Sequence, residues 1–83
     1  MKIDKNKLKN VWEKPPHIIV GKNGWQSIIE EFKRQIKKHK IIKVKLSKNA
    51  RTSPIKEIAE KIAINTNSEL IEIRGFNIIY FKR

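Results

Sequence analysis

The side chains able to do chemistry in this 83-residue chain are two histidines, eight carboxylates and twenty Lys or Arg residues, with no cysteine. The lack of Cys removes thiolate nucleophiles, cysteine-ligated zinc and disulfides, so packing alone must hold the fold. No D-x-D or E-x-x-H spacing suggests metal ligands. His17 begins a strand and His39 ends a helix, so the two are not expected to share a site. Glu30 and Glu31 form the only adjacent acidic pair. On a helix neighbouring residues point about 100° apart, which makes a solvated face of them rather than a catalytic pair. No catalysis, cofactor, metal or small-molecule substrate is expected.

The cations point elsewhere. A net charge of +12 and a pI near 10.3 favour polyanionic partners. From Phe32 through Lys56 there is no Asp or Glu, and half of the 20 basic residues lie in that window. Sixteen of the 20 are Lys, a point charge without the guanidinium fork that reads guanine or clamps phosphate bidentately. Contacts to backbone and shape are therefore expected to outweigh contacts to base edges. Gly21-Lys22-Asn23-Gly24 adds a motif with a mechanism. Glycines on either side of a two-residue tip permit positive φ and a close approach of backbone to ligand. With Lys22 at the tip, such a loop grips a sugar-phosphate backbone; a plain strand-to-helix turn is the structural alternative.

These residues need elements to hold them. Leu8, Val11 and Trp12 mark a short helical stripe within a polar segment, residues 1–14, that Pro15-Pro16 ends. His17 to Val20 reads as a short buried strand. Trp25, Ile28, Ile29, Phe32 and Ile36 form an amphipathic helical stripe, with Asn23 and Gln26 as a capping box. Ile41 to Leu46 alternates, placing Lys43 and Lys45 on a wet face. Ser53-Pro54 opens a second amphipathic helix, with Ser53 as N-cap. Glu69 to Arg74 and Phe76 to Phe81 are two strands about Gly75. The fold class is α/β: a short N-terminal helix, then β-α-β-α-β-β with one four-stranded mixed sheet, in a single domain. Strands joined by helical crossovers run parallel, so the first three should point one way. Their C-terminal ends then gather Gly21 to Gly24, Ser47 to Ser53 with Lys48 and Arg51, the Arg74-Gly75-Phe76 turn and the N-termini of both crossover helices, where amide groups and the helix dipole favour phosphate; Lys45 joins them as a candidate contact from the wet face of its strand. Trp25 is read as core or as a base-stacking platform, Phe76 likewise, and Trp12 as a cover for the sheet face that the crossover helices leave open.

Three ordered blocks carry a family resemblance: Ile18 to Gly24, His39 to Leu46, and Glu72 to Gly75 leading into Ile78 to Arg83. Together they resemble the CRM domain, the YhbY-like family of RNA-binding proteins. The resemblance implies a fold similar to the C-terminal domain of bacterial translation initiation factor three. It also implies RNA as partner, a link to large ribosomal subunit precursors, Gly21 to Gly24 as the RNA-gripping loop, and Lys33, Arg34 and Lys37 as the basic helix face. A rival is an Alba-like chromatin protein with the same element order, but the Arg74-Gly75-Phe76 turn is too short for the long basic hairpin such proteins carry. The longest unbroken apolar run, Ile78 to Phe81, predicts neither a signal peptide nor a membrane span, and no amphipathic face is spare for a membrane surface. A cytoplasmic monomer is expected.

Overall fold

The structure is a computed structural model, and it describes residues 5–51 and 53–83. Expectations for residues 1–4 and for Thr52 lie outside the described residues.

α1 spans Lys5–Glu13 and β1 spans Ile18–Val20. A 3₁₀ turn, Trp25–Ile28, leads into α2, Ile29–His39, and β2 follows at Ile41–Leu46. A second 3₁₀ turn, Lys48–Ala50, precedes α3, Ile55–Thr66; then come β3, Ser68–Arg74, and β4, Asn77–Lys82. The sheet order is β1-β2-β4-β3. β1 is parallel to β2, and β4 is antiparallel to both β2 and β3. The first three strands therefore share one direction, as the crossovers dictate.

One sheet face packs on α2 and α3. Ile18, Val20, Ile42, Val44, Leu46, Ile78 and Tyr80 meet Phe32, Ile36, Ile58, Ala59 and Ile62 in a single cluster. Each fully buried large aliphatic side chain there contributes roughly 1.5–3 kcal/mol. Phe32 meets Tyr80 edge-on at 4.9 Å, and the Tyr80 hydroxyl donates to the Ala59 carbonyl at 2.9 Å. Burial pushes that phenol far above its ordinary pKa.

The other face carries α1. Val11 and Ile79 are buried outside the main cluster, Ile79 pointing away from its neighbours Ile78 and Tyr80. Trp12 covers this face as expected: its indole N–H donates to Glu72 at 3.0 Å. A β-bulge makes that contact available. The register shifts between Leu70 and Glu72, leaving Ile71 unpaired. Leu70 and Ile73 can then both pack on the helix side while Glu72 turns to the α1 side; strict alternation would put Glu72 beside Leu70 in the core.

Local chemistry moves several boundaries. The Asn23/Gln26 capping box does not form: Gly24 precedes the 3₁₀ turn, and Ser27 closes it by donating from N–H (3.3 Å) and Oγ (2.7 Å) to the Gly24 carbonyl. Ser53 is not the N-cap; Pro54 holds that position, its carbonyl accepting from the Ile58 N–H at 3.2 Å. Asn67, at φ 51°, ends α3 in the left-handed conformation that Asn tolerates. His17 lies just outside β1 yet is tied to β2, donating its N–H to the Lys43 carbonyl at 2.8 Å. Lys43 is not on a wet face. α1 covers it, and its ammonium donates to the carbonyls of Trp12 (3.2 Å) and Lys14 (3.0 Å).

Candidate nucleic-acid interface

The C-terminal ends of β1, β2 and β3 form one edge, and backbone hydrogen bonds tie its loops together. Ser47 N–H donates to the Val20 carbonyl at 2.9 Å, and Leu46 N–H donates to the Phe76 carbonyl at 2.8 Å. Gly24 N–H donates to the Gly21 carbonyl at 3.0 Å, which closes a turn with exposed Lys22 and Asn23 at its tip. Only Gly24 has positive φ, 85°, so it alone of the pair is demanded by the turn. At Gly21 an added Cβ would meet nothing within 4 Å. The backbone there is open to a close-lying ligand, and its small size is no requirement of the fold.

Lys48 is exposed on the 3₁₀ turn after β2. Arg51 lies next to it, its guanidinium 3.1 Å over the Phe76 ring centre and 3.4 Å from the Leu46 carbonyl. Phe76 is therefore neither core nor a bare platform: it is 40 % exposed and Arg51 occupies one ring face. Trp25 is half-buried and packs on the core cluster. Lys45 is exposed on the α1 side of the sheet, opposite Asn77 and Ile19.

Three expected contributors are arranged otherwise. Arg74 reaches this edge but is held at 2.8 Å by Glu72 and 4.8 Å from the Trp12 ring centre. The Trp12 indole, and after it Arg74, holds the Glu72 carboxyl below its usual range. The helix N-termini are no bare anion sites, because the first turn of α2 carries Glu30 and Glu31 and that of α3 carries Glu57. These carboxylates already complement the dipoles. The basic helix face also divides. Arg34 pairs with Glu31 at 2.9 Å, whereas Lys33 and Lys37 line a groove at the opposite end of the sheet. Lys82 and Arg83 line that same groove and were not singled out by sequence, although they close the last of the three resembling blocks.

His17 and His39 do come together, their ring centres 4.9 Å apart, contrary to expectation. α2 runs back along β1, so the end of the helix returns to the start of the strand. His17 Nδ1 accepts from the Lys43 N–H at 3.1 Å. Burial first, then His39, Lys14 and Lys43, lower the His17 pKa below 6.5. Among the described residues no three His, Cys, Asp or Glu side chains group to hold a metal. No helix of the described residues is long and apolar enough to cross a membrane.

A mixed four-stranded sheet with two helices on one face, a short helix on the other and a glycine turn leading into a basic helix defines a class of small basic α/β domain. The CRS1/YhbY (CRM) domain matches residues 4–82, and the chain belongs to this family. A relative from Methanocaldococcus jannaschii, named "Probable RNA-binding protein MJ0652", is 40% identical over 68 residues, covering 81% of this chain and 51% of the relative. The chain thus spans about half the length of that protein. The solution structure of the hypothetical protein SAV1595 from Staphylococcus aureus, to which RNA binding is ascribed, is similar with a TM-score of 0.71 and 26% identity, covering 95% of this chain and 83% of that one.

Proposed function

We propose that this domain is a non-enzymatic RNA-binding protein that grips the sugar-phosphate backbone at the C-terminal edge of its sheet, acting on ribosomal RNA during large-subunit assembly as a cytoplasmic monomer. The observation that carries the reading is the convergence of the Gly21–Gly24 turn with Lys48 and Arg51, joined by the Ser47–Val20 and Leu46–Phe76 hydrogen bonds. Lys22, Lys48 and Arg51 supply charge, Asn23 supplies an amide, and the open backbone at Gly21 admits close approach. Arg34, Lys45 and Arg74 add to the positive field of the domain, and Lys33 and Lys37 carry it to the opposite end of the sheet. Family membership and the name of the archaeal relative support RNA as the ligand.

The test is a salt titration of binding to large-subunit ribosomal RNA. Replacing two phosphate-contacting lysines, as in Lys22→Gln/Lys48→Gln, should lower the slope of log K against log salt by about 1.4–1.8. An unchanged slope and affinity would refute the grip. Crosslinking in the native cells, followed by sequencing of attached RNA, should recover large-subunit precursors; recovery of other RNAs instead refutes the ribosomal assignment.

The nearness of His17 and His39 is the one observation that favours a ribonuclease. Against it, His17 is half-buried with Nδ1 engaged by the backbone, and among the described residues no carboxylate lies within hydrogen-bonding distance of either ring. RNA cleavage with turnover that is lost in His39→Ala would reverse this assignment.

A further inference from the structure

At the end of the sheet away from the glycine turn, where β3 begins and β4 finishes, a groove of about 240 Å³ lies between α2 and the turn after α3. Lys33 and Lys37, one helical turn apart on α2, form one wall; Lys82 and Arg83 form the other, with Thr66 and Asn67 between them. No Asp or Glu side chain lines it among the described residues. Among the described residues the side chains of these four cations make no ion pair, whereas those of Arg34, Lys61 and Arg74 each do. Ser68, facing Lys82 across the strand pair, is buried and bonded to the Thr66 hydroxyl at 2.7 Å, so the floor is fixed. Lys33, Lys37, Lys82 and Arg83 are all exposed, so water and salt screen their mutual repulsion, but an anion seated in the groove would be attracted by all four at once.

We propose that this groove is a second phosphate-backbone site, and that the domain bridges two separate segments of one RNA. The proposal rests on the RNA-binding reading. β2 and β4 run from one end to the other, and six strand residues span roughly 20 Å. Along one strand of a helix phosphates advance about 3.4 Å each, so the two ends cannot hold adjacent nucleotides. Ends so spaced hold phosphates about six or more nucleotides apart along one strand, or phosphates on different strands.

A purely structural role for these cations must be separated. α3 has no basic residue in its own last turn, and Arg83 also lies beside Ala63 and Ile64, where it complements the helix dipole. The experiment uses in-vitro transcribed large-subunit ribosomal RNA, the full chain, and four proteins: wild type, Lys82→Gln/Arg83→Gln, Lys33→Gln/Lys37→Gln, and the loop variant Lys22→Gln/Lys48→Gln. Hydroxyl-radical footprints, salt slopes and thermal melts are recorded for each. Wild type should protect two segments. The Lys82/Arg83 variant should lose one of them, with the salt slope down by about 1.4–1.8 and its melting temperature retained. The Lys33→Gln/Lys37→Gln variant, altered on the other wall, should lose the same segment. An unchanged slope, a single protected segment in wild type, or loss of both segments together with a lowered melting temperature overturns the second site. A loop variant that keeps full affinity while the Lys82/Arg83 variant loses it overturns the glycine-turn grip instead and leaves this site standing.

Discussion

Lys43 and Lys45 stand two residues apart on one strand and face the same side of the sheet, yet the structure gives them opposite duties. The Lys43 ammonium is enclosed beneath α1 and donates to two backbone carbonyls, with the Trp12 ring centre 5.5 Å away. Hydrogen bonds to a charged group contribute about 1.5–3 kcal/mol each. Methionine at 43 keeps the length of the stem and removes the cost of burying the charge, and both carbonyls lie near solvent and can rehydrate. A net loss of about 1–3 kcal/mol remains for Lys43→Met, of which a domain of this size shows roughly 5–20 °C in melting temperature. Lys45→Met removes an exposed cation that has no hydrogen-bond or ion-pair partner among the described residues, so its melting temperature should not move. Circular dichroism melts of the two variants, with RNA-binding salt slopes measured well below the melting transition, test the contrast. Lys43→Met should melt early and bind with an unchanged slope; Lys45→Met should melt normally and bind with a slope reduced by about 0.7–0.9. A Lys43→Met protein as stable as wild type, with weakened RNA binding, would show that this ammonium faces a ligand and that α1 is not strapped by it.

Two further outcomes follow from the same geometry. His17 has a folded pKa below its unfolded 6.5. Its contribution is therefore complete above pH 6.5 and is lost as pH falls from there toward the folded value, where protonation competes with the bond from the Lys43 N–H. Urea midpoints should drop between pH 7.5 and pH 5, and His17→Gln should flatten that part of the profile; an equal drop in the variant assigns the effect elsewhere. Ser47 Oγ is shielded from solvent and has no hydrogen-bond partner among the described residues. Ser47→Ala should raise stability by about 1 kcal/mol, read as a shift in urea midpoint, and a loss of stability would show that the hydroxyl is satisfied in solution.

Periodicity reveals where apolar faces repeat, and the three helices and four strands were legible on that ground. β2 is the clearest case: the alternation in Ile41 to Leu46 fixes its limits and its core face. The same alternation says nothing of what covers the opposite face, so Lys43 reads as wet until α1 is laid over it. The bulge at Ile71 is invisible to a rule of strict alternation. Its trace is that Leu70 and Ile73, three apart, are both apolar. Capping failed where short-range chemistry chose differently: Ser27, rather than Asn23, satisfies the entry to the 3₁₀ turn. The glycine turn and the gathering of loops at one edge were legible because topology alone brings them together. The division of the basic residues between two ends was not, since it depends on which side of α2 faces the last residues of β4.

The sheet order places the last strand of the chain in an interior position, between β2 and β3. During synthesis, β1, α2 and β2 leave the ribosome with no neighbour on the β4 side of β2, and β3 has no partner until β4 folds back on it through the Gly75-Phe76 turn. Neither hydrophobic face of the sheet can close before residue 82 is available, so the nascent chain exposes open strand edges and must resist premature association until synthesis reaches that point. The many lysines suit that interval, because mutual repulsion keeps half-made copies apart.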